Sequence, residues 1–452
     1  MSRYKPYPQY NDSGVKWFGV IPEKWTHVPL KYISFIKTGF AFNSLDFSSV
    51  GIPVLRIGDI KNDGEIDFSN AKYISSKFLE TNEDVIVLKN DIVMAMTGAT
   101  IGKVGLYKID QPSLLNQRVC IFRSKEKFIQ SYLLYILKSS FYLEYISLYA
   151  FGGAQPNISD STLLACCVPL PSLLEQQSIA NFLDNATCKI DTLIQKQQNL
   201  ISLLKEKRQA LISHTVTKGL NPHVKMKDSG VEWLGEIPEH WGVVQSRRLF
   251  KDRKEKARND DEQLTASQKH GVIYQKEFME LEGRKVTLVL TGSEILKHVE
   301  AGDFVISMRS FQGGLELCKY SGSVSSAYIG LIPIKHVIHD YFKYLFKSIT
   351  YIQALQSTSN LVRDGQALRF ENFSQVDLVI VPEIEQQQIA NYLDNATCKI
   401  DTLISKAEKA IELLKERRTA LISAVVTGKI DVRECAGYKS NCSEIPNSSN
   451  QR

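Results

Sequence analysis

The sequence predicts an α+β protein: two pseudo-repeated α/β bodies separated by two long helices that form an antiparallel coiled coil. Three observations predict it. First, EQQSIANFLDNATCKIDTLI at 175–194 returns as EQQQIANYLDNATCKIDTLI at 385–404, identical at 18 of 20 positions. Second, DSGVKWFGVIPEKW at 12–25 returns as DSGVEWLGEIPEHW at 228–241, identical at 10 of 14. Third, the bodies between these segments agree only in faint punctuation, such as NDIVMAM at 90–96 against GDFVISM at 302–308, and YLLYILKSS at 132–140 against YFKYLFKSI at 341–349. A chain of 452 residues exceeds one ordinary core, so a duplicated frame carrying two different surfaces is the reading that fits.

The elements follow in order: a first body at 1–170, a first conserved helix at 171–217, a second body at 218–382, a second conserved helix at 383–428, and a polar tail at 429–452 expected to be disordered. Alternating apolar runs such as VIVLKNDIVMAM at 85–96 and RKVTLVLTG at 284–292 predict short strands, with helices near 128–147 and 339–355. Late in each body a turn-rich stretch with Gly and Gln, FGGAQPNIS at 151–159 and RDGQALRF at 363–370, precedes the apolar strands CCVPLP and LVIVPE. Pro171 or Pro382, then Glu175 or Glu385, mark the helix starts, where a fixed φ and a negative charge near the free amides both help.

Stepping by seven along the first helix gives Leu183, Ile190, Gln197, Leu204 and Leu211, interleaved with Ala186, Leu193, Leu200, Lys207 and His214. The second helix repeats the pattern with Leu393, Ile400, Ala407, Leu414 and Leu421, interleaved with Ala396, Leu403, Ala410, Arg417 and Ala424. These are heptad seams, and two matching seams with a body between them pair most simply antiparallel. Leu183 to His214 spans about 47 Å at about 1.5 Å per residue. Gln197 and Ala407, at matching central positions, are a polar and a small residue that either fix the register or loosen the middle.

Composition is that of a globular protein, 43% hydrophobic and 23% charged. The opening residues lack the apolar core of a signal peptide, and no run approaches the roughly 18 apolar residues of a membrane helix, so a cytoplasmic protein without membrane contact is expected. Net charge is +6, which suits a partner carrying phosphates. Eight cysteines form no C-x-x-C pair, and Cys166 and Cys167 fall in an apolar run that reads as a buried strand.

Catalytic chemistry is missing. No Pro-Pro pair exists, so the Asn/Asp-Pro-Pro-aromatic motif of a DNA methyltransferase is absent. Gly98-Ala-Thr-Ile-Gly102-Lys103-Val104 falls one residue short of a phosphate loop and has Val104 where a hydroxyl must meet magnesium. His336, His339 and Asp340 have helical spacing but no further ligand nearby, so a solvated surface explains them better than a metal. No catalytic residue, no metal site and no cofactor in this chain are expected.

Candidate contacts to nucleic acid are basic and amide residues in loops. In the first body they are Arg56, Lys61, Lys103, Asn116, Gln117, Arg118 and Gln155; in the second, Arg253, Lys254, Arg309, Gln312, Arg363, Gln366 and Arg369. Lysines and arginines neutralise phosphates, while Arg, Gln and Asn make bidentate contacts to guanine or adenine edges. Arg253 and Lys254 belong to a basic run from Arg247 to Arg258 that Asp252 and Glu255 dilute.

The openers, the EQQxIAxxLD helices and LTASQKHGVI at 264–273 resemble the specificity subunit of Type I restriction-modification systems. The resemblance covers nearly the whole chain and is strongest in the two repeated segments. It implies that the bodies are target recognition domains, each reading one half of a bipartite, asymmetric site in double-stranded DNA, and that the helix pair is a ruler fixing the gap. It also implies two methylation subunits docked on the helical region, where Asp184, Lys189 and Asp191 with copies Asp394, Lys399 and Asp401 offer equivalent faces, and restriction subunits joining them. S-adenosylmethionine, ATP and magnesium would then belong to those partners. The competing reading is a coiled-coil adapter without sequence-specific DNA contact, which a salt-dependent, sequence-selective footprint would exclude.

Overall fold

The computed structural model describes residues 4–126, 128–153, 156–283, 295–307, 310–335, 337–358 and 368–435. The strand expected at 284–292, His336, and the tail beyond 435 lie outside them; the first residues of the tail expected to be disordered, 429–435, are instead packed, with Val432 buried. The long helices are Leu173–Lys218 and Glu383–Val426. The chain divides into two compact units, 1–197 with 409–452, and 198–408. Each unit therefore takes a body, the first half of the helix that follows it, and the last half of the other long helix.

In the first unit, the opener forms the hairpin Tyr10–Val15 with Gly19–Pro22. Strand Thr26–Pro29 then pairs antiparallel with Cys167–Leu170, tying the beginning of the body to its end. Between them lies a four-stranded antiparallel sheet in the order Val104–Leu106, Ile92–Ala95, Val119–Ser124, Ser34–Thr38. Alternation along Ile92–Ala95 sends Ile92 and Met94 to one face and Val93 and Ala95 to the other. The first pair packs with Phe122 under helices Gln130–Leu137 and Ser140–Tyr149. The second pair packs with Val119 and Ile121 into a separate core under a further five-stranded sheet. Both faces are covered, which is why this run is apolar throughout.

The second unit repeats the frame. Hairpin Met226–Asp228 with Glu236–Pro238 leads to strand Gly242–Gln245, which pairs with Asp377–Ile380. Its four-stranded sheet runs Glu316–Leu317, Phe304–Ile306, Ile329–Pro333, Phe250–Arg253, the same order as in the first unit. Helices His339–Leu345 and Ile349–Ser357 cover one face through Phe250, Phe304, Phe342, Phe346 and Phe373. What differs is the other face. The five-stranded sheet of the first unit is replaced by the hairpin Leu264–Ser267 with Gly271–Tyr274 and the pair Lys297–Val299 with Gly322–Val324.

The helix halves run antiparallel in each unit. In the first, Leu183 shares a core with Ile422 and Val425, while Asp191, further along one helix, meets Arg418, further back on the other, at 2.9 Å. In the second, Ile212 and Val216 share a core with Ile389 and Leu393, while Arg208 meets Asp401 at 2.9 Å. The seam has two heptad rows, but the second lies one residue later than expected from the sequence: Ile194, Ile201 and Arg208, with copies Ile404, Ile411 and Arg418, are half-buried between the buried Thr187 and Thr215, and Thr397 and Val425. Leu183, Ile190, Leu393, Ile400 and Ala407 are buried, and Leu204, Leu211, Leu414 and Leu421 half-buried. Leu193, Leu200 and Leu403 are 44–50% exposed. The packed face steps by four and three through Ile190, Ile194, Gln197, Ile201 and Leu204, so Leu193, Leu200 and Leu403, expected in the seam, fall beside it.

Candidate nucleic-acid interface

The near-identity of the two helix segments has a local cause. Gln176 accepts from the Ile129 amide at 3.1 Å and donates to the Pro171 carbonyl at 3.0 Å. Gln386 does the same with Ile338 at 2.9 Å and Val381 at 2.8 Å. Each buried carboxamide thus satisfies an amide at the start of a body helix and a carbonyl at the start of its own. Tyr135 donates to Asp184 and Tyr344 to Asp394, both at 2.6 Å. Asp191 and Asp401 are engaged by Arg418 and Arg208. Of the carboxylates expected to form docking faces, all four are therefore tied to their own unit. Lys189 and Lys399 are exposed, as are Gln177, Asn181, Gln387 and Asn391, with Gln177 bonded to Asn181 at 2.9 Å and Gln387 to Asn391 at 3.1 Å.

In the first body, one rim gathers several of the expected contacts. The turn at Asn116, Gln117 and Arg118 joins Ser113–Leu115 to Val119–Ser124. Its backbone is pinned on three sides: Asn116 N to Leu55 O at 3.1 Å, Gln117 N to Phe40 O at 3.0 Å, and Met96 N to Arg118 O at 2.9 Å. Gly39 must be glycine, since a Cβ there would stand 2.1 Å from Asn116 O. The next pair along, Ala95 N to Lys103 O at 3.0 Å, brings Lys103 to the same end of strand Ile92–Ala95 from its other neighbour. Gln117 and Arg118 are exposed, and among the described residues neither side chain has a partner. Phe40, missed in the sequence because an isolated Phe reads as core, is 46% exposed on this rim and braced edge-to-face by Phe42 at 5.2 Å.

Other expected contacts are spent elsewhere. Arg56 closes on Asp59 at 3.3 Å and donates to the Asn70 carbonyl at 2.7 Å. Lys61 pairs with Asp67 at 2.8 Å, and its hydrogen bond holds that carboxyl down to about 2. The correction is sharpest at Arg253, which is only 6% exposed: it grips Asp303 at 2.6 Å, Glu255 at 2.7 Å and Glu300 at 3.2 Å. It is an internal hub, and a buried guanidinium so surrounded is not offered to DNA. In the first body the matching aspartate, Asp91, is held at 2.6 Å by Arg123 from a different strand of the sheet. The shared Asp of NDIVMAM and GDFVISM is thus a clamp for an arginine of the sheet.

Lys254, Gln312 and Arg369 are exposed on the second body. Lys254 follows strand Phe250–Arg253, Gln312 lies on the short helix Ser310–Gly313, and Arg369 precedes helix Phe370–Ser374. Arg258, at the end of the basic run, is shared between Glu255 at 3.0 Å and Glu300 at 3.3 Å. Gln155, Arg309, Arg363 and Gln366 lie outside the described residues. Among the described residues no group of three or more His, Cys, Asp and Glu side chains is placed to hold a metal ion, and no helix is long and apolar enough to cross a membrane.

Comparison with known proteins bears on the whole frame. The family model described as Type I restriction modification DNA specificity domain matches twice, at residues 22–203 and 234–413. The chain is similar to the MjaIX type I restriction enzyme specificity subunit of Methanocaldococcus jannaschii, 22% identical over 443 residues, covering 92% of this chain and 96% of that one. It is also similar to the EcoBI type I restriction enzyme specificity subunit of Escherichia coli, 29% identical over 211 residues, 45% of this chain and 41% of that one. A structure solved in work on complex assembly and conformational transition of the type I R-M system superposes with a TM-score of 0.58 at 15% identity, covering 91% of this chain and 99% of that one.

Proposed function

We propose, for a chain that belongs to the Type I restriction modification DNA specificity family, that each body reads one half of a bipartite duplex target. The role of the chain is DNA sequence specificity within a restriction-modification complex; the residues and division of labour are the proposal. One observation carries it. The two units share the four-stranded sheet, its order and its helix anchors, and differ in what is built on the other face. A shared frame with divergent additions is what two readers of different half-sites require.

In the first body, Gln117 and Arg118 are free to reach base edges, Lys103 to neutralise phosphate and Phe40 to contact a base or sugar face. Lys254, Gln312 and Arg369 serve the second body. Arg253 holds the fold, while Arg56 and Lys61 are engaged by Asp59 and Asp67. The chain contributes no catalytic group; adenine methylation with S-adenosylmethionine, and cleavage with ATP and magnesium, belong to partner subunits in the cytoplasm. Two methylation subunits dock on the long helices, one per repeat, using what each copy leaves exposed: Leu174 and Ile384, 85% and 78% exposed, beside the Gln177–Asn181 and Gln387–Asn391 pairs. Restriction subunits join that assembly.

The test is methylation mapping of genomic DNA from cells carrying this chain with its methylation subunit, against cells lacking only this chain. A bipartite methylated-adenine motif that vanishes with the chain is the expected result. A motif indifferent to its removal would refute the reading.

A further inference from the structure

The two units close the corner at the end of their incoming helix differently. Aligning Asp12 with Asp228 places Tyr4 opposite Leu220, and aligning Glu175 with Glu385 places Ile430 opposite the same leucine. The first unit therefore fills this corner with two chain segments. Tyr4 stands edge-on to Phe182, with centroids 5.6 Å apart at 88°. The segment after the second long helix runs beside it, with Asp431 N donating to Lys5 O at 2.9 Å, Arg433 over the Tyr7 ring at 4.9 Å, and Val432 fully buried. Phe182 is left 8% exposed.

The second unit has a single covalent connection there, from Gly219 to the opener strand at Met226, so one residue stands where the first unit has two. Tyr392, at the position of Phe182, is 45% exposed and Leu220 39%. They border a cavity of about 710 Å³ that Leu211, His214, Thr215 and Met226 also line. That volume falls within the about 300–1,000 Å³ of pockets that take a compact ligand.

We propose that this cavity binds an extended peptide segment of a partner protein, which presents a tyrosine ring edge-on to Tyr392 as Tyr4 does to Phe182. The first unit shows what the site accepts, because an aromatic ring already occupies the equivalent place, and rings prefer this edge-to-face approach. The bare wall keeps one aromatic ring, Tyr392, where the first unit has Phe182, and the space exceeds one ring, leaving room for the residues flanking it. The site goes beyond DNA reading and does not depend on it. It also makes two otherwise equivalent ends of the repeat distinguishable to a partner.

The probe is a fluorescently labelled peptide of residues 4–11 of this chain, YKPYPQYN, titrated into the full-length protein and followed by polarisation. Saturable binding is expected, about tenfold or more weaker for a peptide carrying Tyr4→Ala or for the Tyr392→Ala chain. Leu220→Trp fills the cavity from within and should abolish binding while the chain still melts cooperatively. Absence of binding to the unaltered chain overturns the proposal. So does binding that Leu220→Trp leaves intact, which would mean the peptide displaces Tyr4 in the first unit instead.

Discussion

Arg253 Nε lies 2.6 Å from Asp303 Oδ2, and Leu331 and Gly330 of the intervening strand pair with both neighbours between them. The pair ties the edge strand of the second sheet to the turn that opens its central strand, where Asp303 also accepts from the Glu300 amide at 2.9 Å. Removing the guanidinium leaves a carboxylate 3% exposed without its cation. Arg253→Ala should therefore destabilise the second unit by about 3–5 kcal/mol. Urea unfolding measures this without DNA present, and a variant of unaltered stability but impaired DNA binding would return Arg253 to the interface.

Arg118→Ala and Gln117→Ala should behave in the opposite way. Both side chains are exposed and their turn is held by backbone bonds alone, so melting should stay within about 0.5 kcal/mol of the parent. Loss of a bidentate base contact should cost about 1–3 kcal/mol of binding and relax selectivity in one half-site only. Competition binding with oligonucleotides altered in one half at a time separates the cases. Uniform weakening across all sequences would make Arg118 a phosphate contact.

These two arginines show what was legible in the sequence. The duplication, the long helices and the antiparallel pairing followed from repeats and heptads, because such signals are periodic and local. Which basic residue is free was hidden, since Arg253 and Arg123 are neutralised by Asp303 and Asp91, acids 50 and 32 residues away that only the sheet brings near. Arg56 and Lys61 were readable: Asp59 and Asp67 stand close by in sequence, and a short-range carboxylate was reason enough to expect an ion pair. Gln176 and Gln386 were overlooked because a glutamine inside a repeated EQQ looks like helix surface, yet both are 1% exposed anchors.

The shifted second row changes which substitutions disrupt the helices. Ile190 and Ile400 are 6% and 7% exposed, whereas Leu193 and Leu403 are 47% and 50% exposed, just outside the packed rows that Ile194 and Ile404 belong to. Ile400→Ala should cost about 2–4 kcal/mol, and Leu403→Ala about 1 kcal/mol or less. Thermal melts of the two variants rank them directly. Equal losses would show that Leu403 is packed in solution and that the second row is the one expected from the sequence.

Glu316 gives the second unit a pH dependence. It is 2% exposed on strand Glu316–Leu317, with Lys347 Nζ at 2.7 Å as its counter-ion. Burial raises its carboxyl to about 7 against the ordinary 4.5, and Lys347 opposes the rise without cancelling it. Because the folded state prefers the protonated acid, this group's contribution to stability is complete below about pH 4.5 and is lost as the pH climbs through about 7. Glu316→Gln, which holds the neutral shape at every pH, should therefore gain on the parent from pH 5 to pH 8 by on the order of 2 kcal/mol. Urea midpoints at the two pH values test this. A difference between parent and variant that stays constant with pH would mean the carboxylate remains ionised beside Lys347, and that the ion pair outweighs the cost of burying it.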